Sequence, residues 1–113
     1  MTRTEFESII VEDIINHYPN HKEKLQKQLL SMKVKDRKIS TYGFSTYFVI
    51  NNPENVTLGS GINLKLETDG WKVNGLHRGS GYVLWIENGL IHSLEGFSYE
   101  EPWQKDIIFC EKI

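Results

Sequence analysis

Disulfide scaffolding is excluded by a single cysteine, Cys110, which lies in the apolar run Ile107-Ile108-Phe109-Cys110 and has no partner within the chain. A reducing compartment is the simpler expectation. No apolar run approaches the ~20 residues that a bilayer-spanning helix needs, and the opening MTRTEFESIIVEDI lacks the uninterrupted apolar core of a secretory signal. The expected location is therefore the cytoplasm, without a membrane partner. Excess charge is also missing. Thirteen Lys and Arg stand against fifteen Asp and Glu, a net charge of −2, which gives no reason to expect nucleic acid as a partner. Prolines number three, and no stretch is repetitive or linker-like.

What is present fits one globular domain over residues 1–113. The chain is long enough to bury most of its unfolded surface, with ordinary hydrophobic (39%) and charged (25%) fractions. Residues 4–18 carry Phe6, Ile9, Ile10, Ile14 and Ile15 at helical spacing. Thr4 with Glu7 reads as a capping box, and Pro19 ends the segment. Asn20 with Glu23 repeats the cap pattern before a second helix marked by Leu25, Leu29 and Met32, with Lys22, Lys24 and Lys27 turned to water.

From Val34 the period becomes that of strands. Residues 34–42, guarded by lysines, predict an edge strand, and residues 44–50 a strong one. After the bend at Gly59-Ser60-Gly61, Ile62, Leu64 and Leu66 share a face. Asp69-Gly70 and Asn74-Gly75 read as tight turns, and residues 106–111 as a last strand. The clearest signal is Asn88-Gly89 between residues 82–87 and 90–95, because a two-residue connection needs positive φ at both positions. The predicted fold is α+β: two N-terminal helices packed on an antiparallel sheet of about five strands with a central hairpin. Both faces of that hairpin are apolar, Tyr82, Leu84 and Ile86 on one and Val83 and Trp85 on the other, so both should be covered, one by helices and the other by a partner or a second copy, or else the hairpin is fully buried.

Catalytic signatures are weak throughout. His17 and His21 have the spacing of a helical metal pair, but Pro19 separates them, and His77 and His92 stand apart, so no metal or cofactor is expected. Gly79-Ser80-Gly81 and Gly59-Ser60-Gly61 lack the following helix and lysine of a phosphate loop, and the residues around Ser80 do not form a nucleophile elbow; both read as bends. Glu95, Glu100 and Glu101 show no paired arrangement for acid–base work. The expected fates there are a strand end at Glu95, a sharp bend at Gly96, and Phe97 or Tyr99 folded back on the core. An enzyme is not expected. The loop's carboxylates beside an indole instead mark an adhesive surface of Glu95, Tyr99, Glu100, Glu101 and Trp103.

The runs Gly81-Tyr82-Val83-Leu84-Trp85-Ile86-Glu87-Asn88-Gly89 and Leu94-Glu95-Gly96-Phe97-Ser98-Tyr99-Glu100-Glu101-Pro102-Trp103 resemble a C-terminal pattern found among small bacterial proteins: a hairpin, an LEG-aromatic segment and a closing Pro-Trp. Gln104 departs from it, standing where several relatives have a Pro nearby. In size and composition the chain is similar to immunity proteins of polymorphic-toxin and contact-dependent growth-inhibition systems. That resemblance implies a non-enzymatic role: neutralising a cognate toxin domain, with the acidic-aromatic loop facing a basic, nuclease-like partner. Two alternatives stay open: a small-ligand-binding domain with a pocket between helices and sheet near Trp71, Tyr47 or His92, and a homodimer built on the hairpin's second apolar face.

Overall fold

Thr2 opens the first helix. In the computed structural model, which describes residues 1–113, α1 spans Arg3–Asn16 and α2 spans Lys22–Ser31. The Glu5 amide donates to Thr2 Oγ1 at 3.1 Å and the Thr2 amide to Glu5 Oε1 at 2.9 Å, a reciprocal capping box. The cap thus lies two residues before the predicted one at Thr4, and Glu7 is freed to turn inward. Phe6, Ile10, Ile14 and Ile15 are fully buried as their spacing predicts, but Ile9 faces water and Val11 takes its place inside. Helix α2 begins at His21 without a side-chain cap, so Asn20 does not play the predicted part. Its lysines are exposed and Leu25 is buried. Neither helix is long and apolar enough to cross a membrane.

The strands are β1 Met32–Ser40, β2 Gly43–Ile50, β3 Leu64–Val73, β4 Leu76–Glu87, β5 Leu90–Ser98 and β6 Cys110–Lys112, with a short 3-10 turn at Pro53–Asn55. They form one sheet in the order β1-β2-β5-β4-β3-β6, antiparallel at every junction. The α+β architecture stands as predicted, with six strands in place of about five. Met32 belongs to β1, which follows α2 without a loop and lies on the sheet edge. Asn88 and Gly89 both take positive φ, 52° and 75°, and close the β4–β5 hairpin.

Asp69-Gly70 does not turn the chain. It lies inside β3, where Gly70 at φ 74° sits in a bulge between the Thr68–Tyr82 and Trp71–Ser80 pairs. The same left-handed glycine serves a turn or a bulge, and here the ladder resumes beyond it. Gly79-Ser80-Gly81, read as a bend, likewise lies within β4, and Glu95 and Gly96 lie inside β5. Gly96 is needed for close approach instead of a bend: a Cβ there would run into the Phe44 ring. The last strand is shorter than predicted because Asn74 captures the segment before it. Asn74 Oδ1 accepts from the Ile108 amide at 2.7 Å, and its Nδ2 donates to the Asp106 carbonyl at 3.0 Å.

The helices cover one face of the sheet. Tyr82, Leu84, Ile86, Ile91 and Leu94 from the central hairpin meet Phe6, Ile10, Ile14 and Leu25 in one continuous core. Each such side chain contributes about 1.5–3 kcal/mol by leaving water. Three polar clasps fasten the helices to the sheet. Glu7 is buried and receives Arg37 Nε at 3.0 Å and Nη2 at 2.8 Å, with Thr46 Oγ1 donating to the same carboxylate. Asp13 receives Thr68 Oγ1 at 2.6 Å, Trp71 Nε1 at 3.0 Å and Lys112 Nζ at 3.1 Å. Gln28 donates to the carbonyls of Val56 and Gly89 at 2.8 and 2.9 Å and accepts from the Ile91 amide at 2.8 Å. The buried Glu7 and Gln28 and the half-buried Asp13 are all answered, which is the condition for placing polarity in or beside a core.

Candidate interaction face

Alternation along the strands puts one row of the central hairpin on the face away from the helices, and the register shift between Trp85 and Ile86 keeps Ile91 with the core. Val83 and Trp85 from β4 stand beside Ser93, Glu95 and Phe97 from β5, with Ser45 and Tyr47 from β2 and Lys65 and Glu67 from β3 completing the rows. The helices pack on the opposite side, against Tyr82, Leu84, Ile86 and Leu94. Within the chain the hairpin is not fully buried: on this face Val83 and Ser93 are buried, but Trp85 is half-buried and Phe97 is 40% exposed.

The face is aromatic with charges laid over it. Trp85 Nε1 donates to Glu95 Oε1. Lys65 Nζ lies 5.7 Å from the Trp85 ring centre and Lys38 Nζ 5.5 Å from that of Tyr47, distances at which a cation is drawn to a ring face. His92 meets Tyr47 edge-on at 5.7 Å and lies 3.4 Å from Glu87 Oε2. Toward β3, a groove of about 460 Å³ is bounded by Tyr18, Glu67, Asp69, Gly81, Phe97 and Tyr99.

The residues singled out from the sequence separate into four environments. Glu95 and Tyr99 belong to the open face. Glu100 lies at its rim, with φ 61° and a 2.6 Å ion pair to Arg78. Glu101 turns back on the chain and accepts the His77 and Arg78 amides at 3.1 and 2.9 Å. The Arg78 amide bond, joined by that of His77, holds the Glu101 carboxyl below its usual range. Trp103 leaves the surface altogether: it is 7% exposed and packs against Phe44 at 5.0 Å, and against Tyr82 and Phe6. The expected adhesive indole is thus a core residue, while Phe97 and Tyr99, one or the other of which was expected to fold back on the core, both stay out and meet edge-to-face at 5.7 Å. Chain geometry explains the exchange. Strand alternation fixes Phe97 outward, whereas the loop beyond Ser98 is free to bring Trp103 back, and the Trp103 amide then bonds the Thr41 carbonyl at 2.7 Å.

Trp71, Tyr47 and His92 do not share a pocket. Trp71 is buried beside Asp13, and the other two lie on the opposite side of the sheet. Trp85, Phe97, Glu67 and Asp69 were missed as surface residues, although the apolar identity of both hairpin faces was the signal for the first two. No group of three or more His, Cys, Asp or Glu residues is placed to hold a metal ion. No protein-family model matches the chain, and neither a curated protein nor a solved structure is significantly similar to it.

Proposed function

We propose that this chain is a non-catalytic binding protein that neutralises a cognate bacterial toxin in the cytoplasm, that is, an immunity protein. The observation that carries the reading is the uncovered sheet face, where Tyr47, Trp85, Phe97 and Tyr99 present rings between Lys38, Lys65, Glu67 and Glu95. Aromatic side chains give contact area at small entropic cost and recur at the centres of interfaces, while a charged surround orients the partner and speeds encounter. A standard interface takes about 800 Å² from each partner, roughly an eighth of this chain's 6561 Å² of surface. The hairpin and LEG-aromatic pattern resembles one found among small bacterial proteins, and the chain's size and composition are similar to those of immunity proteins. Glu95, Tyr99 and Glu100 remain in the proposed contact surface; Glu101 and Trp103 shape it from behind.

Co-expression with the product of the neighbouring open reading frame tests the reading. Growth should be restored by the intact chain and not by a frame-shifted control, the two products should co-purify, and Trp85→Ala or Tyr99→Ala should weaken the complex while the variant stays folded. A neighbour that is harmless, or that kills with and without the intact chain, removes the immunity reading.

A further inference from the structure

The groove beside β3 has walls of two kinds. On one side Phe97 and Tyr99 make a right-angled corner, rings 5.7 Å apart at 89°. The floor is Gly81, which faces Phe97 across the ladder. A Cβ on Gly81 would lie 2.5 Å from the tip of the Phe97 ring and 2.8 Å from the Tyr99 hydroxyl, so the missing side chain is what lets both rings settle against the strand and form that corner. On the other side stand Glu67 and Asp69, two residues apart on β3 and both exposed. Tyr18 closes the end, its hydroxyl oxygen accepting the Glu67 amide at 3.2 Å.

The charges around it are one-sided. Glu67 and Asp69 are the charged residues of the lining, and no Lys, Arg or His is among them. Lys65 pairs with Glu67 at 3.2 Å, but both side chains are more than half exposed, and a contact of that kind holds little energy. Lys112 Nζ stands beside the groove, 2.6 Å from the Asp69 carbonyl, but it is not part of the lining and its donors are taken by that carbonyl, Asp13 and Thr68. An aromatic corner facing two carboxylates suits a planar cation, which can stack on a ring and donate two parallel hydrogen bonds. Guanidinium does both, and ammonium does only the second in part.

We propose that this groove receives an arginine side chain of the partner protein, with the guanidinium between the Tyr99 and Phe97 rings and the carboxylates of Glu67 and Asp69. The identity of that partner as a toxin rests on the function proposed above; the receptor site does not.

Titration of the purified chain with acetyl-Arg-Arg-Arg-amide at low ionic strength, followed by amide chemical shifts, tests the site directly. Saturable shifts should centre on Gly81, Phe97 and Tyr99. They should weaken roughly fivefold to tenfold in the Glu67→Gln/Asp69→Asn double variant, in line with the loss of two charge-assisted bonds in a solvated groove. The uncharged citrulline peptide should leave these amides unmoved. Equal shifts from citrulline, shifts spread over all surface carboxylates, or undiminished affinity in the double variant would overturn the site. Both replaced side chains are exposed, and an unchanged melting curve verifies that the variant is folded. Growth rescue without peptide binding removes the groove and leaves the immunity reading, and peptide binding without rescue does the reverse.

Discussion

The two faces of the sheet are cut from the same strands and differ in what lies over them. On the helix side, apolar residues are sealed and the polar ones are tied in small networks: Glu7 with Arg37 and Thr46, Asp13 with Thr68, Trp71 and Lys112, and Gln28 with three backbone groups. On the open side, rings and charges meet through exposed contacts, as in Lys65 with Trp85 and Lys38 with Tyr47. Closed clasps give rigidity; an open face of rings gives something to bind. The difference locates stability on one side and, under the proposed function, recognition on the other.

The sharpest way to break that division is to truncate equivalent positions across it. Leu84→Ala and Leu94→Ala, both at 0% exposure, should each cost about 2–5 kcal/mol in urea unfolding. Trp85→Ala, next along the same strand, should cost much less while reducing partner binding. A comparable loss of stability from Trp85 would mean that the open face also holds the fold together. Arg37→Met is the next largest effect. It strands the Glu7 carboxylate in the core, and a loss of about 2–3 kcal/mol is expected, below the figure for a fully buried pair because Arg37 is itself partly exposed. Glu7→Gln in the same background should recover part of it.

Acid sharpens the contrast further. Burial alone would raise the Asp13 carboxyl, but the Thr68, Trp71 and Lys112 bonds outweigh it and hold the carboxyl below its ordinary value. A depressed native carboxyl means that the unfolded chain takes up the proton first as pH falls. Asp13 therefore contributes full stability above the unfolded carboxyl range, about pH 4, and loses it as pH drops through the lower native value. The melting temperature should fall with acid below about pH 5, with a shallower fall in Asp13→Asn. An unchanged slope would show that the clasp carries no charge-dependent stability. The smallest effect separates neighbours in the rim loop. Glu101→Gln should lower the melting temperature slightly by weakening two backbone bonds, whereas Glu100→Gln should not alter it.

What could be read from the sequence was local and periodic. The central hairpin announced itself because Asn88-Gly89 satisfies a backbone need that few pairs meet. Helix α1 was visible in its apolar spacing, although Thr2 and Glu5 offer the same capping chemistry as Thr4 and Glu7 one half-turn later. Glycines misled where two structures share one dihedral, as at Gly70, whose positive φ serves a bulge as well as a turn. The clasps are pairings across long separations, and spacing says nothing about partners. A trace was nevertheless present: Glu7 falls three residues before Ile10 and seven before Ile14, on the apolar stripe, and a charge there needs an answering group. Trp103 left no periodic trace because a loop delivers it. The open face was half legible, since the apolar character of both hairpin sides could be read but not which of them the helices would take.

The strand order has a kinetic consequence. Strand β2 pairs with β1 on one side and with β5 on the other, through registers such as Phe44–Gly96 and Tyr47–Ser93. At about 5–20 residues per second of synthesis, β2 therefore waits several seconds for its second neighbour, with Phe44 and Phe48 lacking their final packing and one ladder edge unpaired. The β4–β5 hairpin, with its tight local turn, is the element able to form as it emerges and then accept the waiting half by a single long-range closure. The rate of folding should accordingly track the Asn88-Gly89 turn, and a stiffer turn there would shorten the interval in which the N-terminal half is exposed to aggregation.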